Sequence, residues 1–105
     1  MKELLLRPYS GKLYLAKSRK EYEKKHLVLF GSVDTLDKAQ RGRMAGGVAS
    51  NGVWVYLIWA KTNPQLAHEL SHVLLNVFLC GGMDPRECNG EPFCYMLSQL
   101  LLDAE

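Results

Sequence analysis

Residues Val53 to Ala60, VWVYLIWA, constrain this chain more than any other stretch. Val53, Val55, Leu57 and Trp59 fall on one parity and Trp54, Tyr56 and Ile58 on the other. A strand with two apolar faces is normally covered on both of them. Asn51-Gly52 stands just before it, and Asn-Gly supplies the positive φ angles of a tight hairpin turn, so Val48 to Ser50 and Val53 to Ala60 read as its two arms. Just after it, Asn63 can cap a helix and Pro64 can occupy the first helical position, where its missing N–H is harmless. That helix runs through Leu66, Leu70, Val73, Leu74, Val77 and Phe78 to Cys80, and Gly81-Gly82 ends it with a left-handed cap.

The same helix contains His68-Glu69-Leu70-Ser71-His72, an HExxH motif. Two His residues four apart lie on one helix face about a turn apart, so both imidazoles reach a single ion. The intervening Glu points beside that ion, toward its bound water. Zn2+ is the natural ion for two imidazoles and one carboxylate.

The remaining chain is short. At 105 residues, 48% hydrophobic and 23% charged, it has the length and balance of one folded domain spanning residues 1–105, with one compact core. Leu4 to Leu6 and Leu13 to Leu15 are β-prone around the turn-forming Pro8 to Gly11. Ser18 and Glu21 have capping-box spacing and open a charged helix over Arg19 to Lys25. His26 to Phe30 reads as a further β-prone run, and Ser32 to Ala49, broken by Asp34, Asp37, Gly42, Gly46 and Gly47, as a long loop. A last helix is expected from Glu91 to Leu102 with Phe93, Met96, Leu97, Leu100 and Leu101 on its apolar face. The expected class is α+β, a small, twisted, mostly antiparallel sheet packed on two C-terminal helices that carry the metal site between them.

No apolar stretch approaches the roughly 20 residues that span a bilayer, and Met1 to Leu6 lacks the apolar run of a secretory signal, so a cytoplasmic address without a membrane partner is expected. Cys80, Cys88 and Cys94 form an odd, widely spaced set that suits a reducing compartment. Net charge is only +2, too small to argue by itself for nucleic acid.

A catalytic zinc has three protein ligands and an open position. Glu91 is the leading third ligand, because it starts a helix that a turn at Gly81-Gly82 folds back onto the first. Asp84 and Glu87 are rival carboxylates in the connecting loop, and Cys88 or Cys94 would replace Glu91 in a structural site. Tyr95, one turn after Glu91, is placed to donate to a tetrahedral intermediate or, equally, to pack at the core rim.

His68-Glu-Leu-Ser-His72, 18 residues, then Glu91-Pro-Phe-Cys-Tyr95-Met-Leu resembles the gluzincin type of zinc metallopeptidase, and most nearly the short, phage-encoded zincin-like proteins. The resemblance covers about half the chain, roughly Gly52 to Leu102. It implies that His68, His72 and Glu91 bind one zinc ion, that Glu69 is the general base of peptide-bond hydrolysis, and that the strand before the motif helix pairs with an extended substrate. Such proteins often carry a second acid before the ligand Glu, where this chain has Gly90.

Two other readings stand beside a minimal metallopeptidase acting on peptide or protein. One is a catalytically silent zinc-binding protein that docks on a host protein, since so short a chain has little material for substrate pockets. The other assigns Lys17, Arg19, Lys20, Lys24, Lys25, Arg41 and Arg43 to a nucleic-acid patch, against the ordinary reading of a solvated face interrupted by Glu21 and Glu23.

Overall fold

The computed structural model describes residues 1–6 and 11–105. In chain order it has β1 (Lys2–Leu5), β2 (Lys12–Ala16), α1 (Arg19–Phe30), β3 (Gly42–Val48), β4 (Trp54–Ala60), α2 (Asn63–Cys80) and α3 (Glu91–Asp103). The strands form one sheet in the order β1-β2-β4-β3. The N-terminal hairpin is present as an antiparallel β1–β2 pair, while most of the turn expected over Pro8 to Gly11 lies outside the described residues.

The sheet is mixed, which corrects the mostly antiparallel expectation. β3 and β4 are antiparallel, but β2 and β4 run parallel, with Leu13 opposite Tyr56 and Leu15 opposite Ile58. A parallel pair needs a long crossover, and the chain supplies one by passing through α1 and β3 between β2 and β4. β4 is therefore a central strand, paired on both sides. It cannot be the edge that receives a substrate, and β3 occupies that edge instead.

The two apolar parities of β4 do face two separate layers. Tyr56 and Ile58 join Leu4, Leu13, Leu70, Val73, Leu74, Phe78 and Leu100 beneath α2 and α3. Val55, Leu57 and Trp59 join Ala16, Tyr22, Leu29 and Leu36 beneath α1. Burial is thus split by the sheet into two clusters rather than gathered into one core.

Local chemistry explains the other departures. His26 to Phe30 is helical, because α1 starts on the Ser18 cap, whose Oγ accepts from Glu21 N at 3.1 Å, and continues until Gly31 closes it at φ 71°. Burial of Leu29 overrides the β propensity of those residues. Within the expected loop, residues 42–48 form β3 because the outer edge of β4 needs a partner. The β3–β4 turn forms at Asn51-Gly52, but only Gly52 takes a positive φ, and Asn51 acts through its side chain, whose Oδ1 accepts from Val53 N at 3.1 Å. Thr62, one residue before the expected Asn63, caps α2, and Gly82 rather than Gly81 adopts the left-handed conformation after it.

α3 lies antiparallel along α2. Phe93 near its start packs edge-on against Phe78 near the end of α2, while Leu101 and Ala104 near its end lie beside Asn63 and Leu66 at the start of α2. Among the described residues no helix is long and apolar enough to cross a membrane.

Candidate metal centre

α2 turns Leu70, Val73, Leu74, Val77 and Phe78 inward and leaves His68 and His72 exposed toward β3. Their Nε2 atoms stand 3.1 Å apart with the rings edge to face. Two nitrogens that share one zinc at about 2.0–2.1 Å and a tetrahedral angle stand roughly 3.3 Å apart, so the pair already has nearly the spacing of two ligands on one ion. Glu69 completes the group. Its Oε2 lies 4.0 Å from His68 Nε2, and the ligand atoms of all three residues fall within 4.8 Å of one another. Two imidazoles at this spacing beside a carboxylate fit a metal ion.

Glu69 is unusual for a carboxylate, being only 5% exposed beside a histidine whose side chain is 60% exposed. A buried carboxylate needs a partner, and Gln65 provides it, donating from Nε2 to Glu69 Oε2 at 2.8 Å. The pair fits because position 42 is glycine. A Cβ there would stand 2.6 Å from Gln65 Cγ and 2.9 Å from Glu69 Oε2. Gln40, Gly42, Arg43 and Met44 form one wall of an open pocket of about 400 Å³, and Gln65, His68, Glu69 and His72 form the other.

The wall from β3 is braced from the opposite face of the sheet. Arg43 pairs with Asp34 at 3.1 Å, and the Tyr22 hydroxyl donates to the same carboxylate at 2.8 Å. Burial, reinforced by Asp34, pushes the Tyr22 hydroxyl well above its ordinary pKa of 10.0.

Glu91 and Tyr95 do not join the group among the described residues. Because Phe93 packs on Phe78, the start of α3 lies level with the end of α2, and Phe78 is six residues, roughly 9 Å of helix rise, beyond His72. Tyr95 is 72% exposed. Asp84 is engaged with Arg86 at 2.9 Å, whose side-chain and backbone hydrogen bonds hold its carboxyl down to about 2. Cys80, Cys88 and Cys94 are free and exposed rather than buried.

Sequence reasoning passed over Gln65 and Gly42. Gln65 was findable, since a side chain four residues before Glu69 shares its helix face. Gly42 was not, because nothing in its neighbourhood announces a strand against α2. Comparison with protein-family models, with curated proteins and with solved structures returns no match for this chain.

Proposed function

We propose that the protein is a minimal zinc-dependent peptide hydrolase centred on His68, Glu69 and His72. The observation that carries this reading is the pair of Nε2 atoms 3.1 Å apart beside the buried carboxylate of Glu69. His68 and His72 would hold the ion, which when bound supplies Lewis acidity toward water and toward a carbonyl oxygen. Glu69 accepts the proton of the attacking water and passes it to the leaving amine. Gln65 holds Glu69 in place, so the carboxylate needs little reorganisation to do this. The free edge of β3 at Gly42 to Met44 offers backbone groups to an extended peptide beside the histidines. His68 and His72 are the protein ligands in this reading, since Glu91 stands level with the end of α2, away from them.

A second reading, a silent zinc-binding protein that docks on a host protein, is favoured by one observation. Among the described residues no ligand from another element joins the three side chains that α2 supplies.

The Glu69→Gln protein separates the two. It should bind zinc like wild type yet cleave a mixed peptide library, read by mass spectrometry, about a hundredfold more slowly or worse. Absence of cleavage by the zinc-loaded wild type, or cleavage undiminished in the variant, overturns the hydrolase reading.

A further inference from the structure

On the opposite face of the sheet, where α1 begins and β4 ends, Lys17, Arg19, Lys20 and Lys61 line one surface pocket of about 420 Å³ with Ser18 and Trp59. Among the described residues no carboxylate lines it. The nearest acid in sequence, Glu21, does not line the pocket but borders it, accepting from Lys17 N at 3.1 Å and facing the Met1 ammonium at 3.9 Å. Arg19 is held firmly at this place. Its guanidinium lies 5.0 Å over the Trp59 ring, and its Nη2 donates to the carbonyls of Lys38 and Gln40 at 2.8 Å each. Its Nε is buried without a hydrogen-bond partner, which leaves a charged donor unsatisfied beside the pocket.

Four cations around one concavity repel one another, and a compact anion of high charge relieves that repulsion while giving them charge-assisted hydrogen bonds. Lys38 and Arg41 adjoin the cluster through backbone, Lys38 O accepting from Arg19 and Arg41 O from Lys61 N, while two further basic residues are engaged elsewhere. Arg43 is paired with Asp34, and Lys25 lies 4.5 Å over the Tyr14 ring. A nucleic-acid backbone requires spaced cations along a path, whereas these four residues line a single pocket. Lys61 belongs to the cluster although it is distant in sequence from the basic segment.

We infer that this pocket binds a compact phosphate anion, either free inorganic phosphate or pyrophosphate or the terminal phosphates of a nucleotide. This inference is independent of the metal reading, since the pocket shares no residue with the His68–Glu69–His72 group.

The test is a titration of the full chain with pyrophosphate, inorganic phosphate, ATP and a DNA duplex at constant ionic strength, followed by tryptophan emission and calorimetry. Saturable pyrophosphate binding at one site per chain is expected, weakened about tenfold or more in Lys61→Ala and in Lys20→Ala. Lys24→Ala, which removes an exposed charge outside the pocket, should bind like wild type, and so should His72→Ala, which excludes anion capture at a metal. ATP binding tighter than pyrophosphate identifies a nucleotide as the source, and equal or weaker ATP binding identifies the free anion. Absence of saturable binding, equal loss in Lys24→Ala and Lys61→Ala, loss in His72→Ala, or binding of the duplex alone overturns the inference.

Discussion

The two walls of the pocket around His68 and His72 are made by opposite means. α2 contributes functional groups, with Gln65, His68, Glu69 and His72 projecting from about two turns of one helix whose other face is anchored in the core. β3 contributes mainly space and free backbone. Gly42 leaves room for the Gln65–Glu69 pair, and at Gly46 a Cβ would meet the Tyr56 ring at 2.9 Å. A helix can fix chemical groups by its own periodicity, so its wall is defined by which side chains are present. The strand's wall depends on side chains being absent, and on what braces it from behind.

Adding bulk to the strand wall should therefore do more harm than trimming the helix wall. Gly42→Val forces branched carbon into Gln65 and Glu69 and should cost about 3 kcal/mol of stability in chemical denaturation. A loss well below about 1 kcal/mol would mean that β3 can move away from α2 and that the comparison is overdrawn. Gln65→Leu keeps the volume but removes the donor to a buried carboxylate, for an expected loss of about 2 kcal/mol. It should leave zinc affinity within a fewfold of wild type, because neither histidine is touched, and calorimetric zinc titration checks this.

The brace behind β3 gives the smallest effect and a pH signature. Tyr22→Phe removes the hydroxyl bonded to Asp34 and should cost about 1 kcal/mol near neutral pH. In the wild type Tyr22 keeps its proton in the folded state at pH values where the unfolded chain loses it. Its contribution is thus complete below about pH 10 and declines as the pH rises above that value. Denaturation midpoints between pH 9 and 11 should fall less steeply for Tyr22→Phe than for wild type.

The same contrast sets what could be read from the sequence. α2 was legible because its signals are local: Pro64 at the start, apolar residues at helical spacing, glycines at the end, and two His residues four apart. The two-faced character of β4 was legible too, from the parity of eight apolar residues. β3 was not, because Gly-Arg-Met-Ala-Gly-Gly-Val has little strand propensity of its own and becomes a strand only by pairing with β4. His26 to Phe30 misled for the complementary reason, since its local β preference gives way to a cap at Ser18 and a buried Leu29. Glu91 shows the limit of spacing arguments. Its distance along the chain suits a ligand, but its level along α2 is set by the packing of Phe93 on Phe78, which no spacing reveals.

The claim on which the account rests is that His68 and His72 hold one ion between them, and zinc content tests it most directly. Elemental analysis of the full chain purified without chelators should find one zinc per wild-type molecule and a loss of at least nine-tenths of it in folded His72→Ala. Substoichiometric zinc in the wild type, or the same content in the variant, would contradict it.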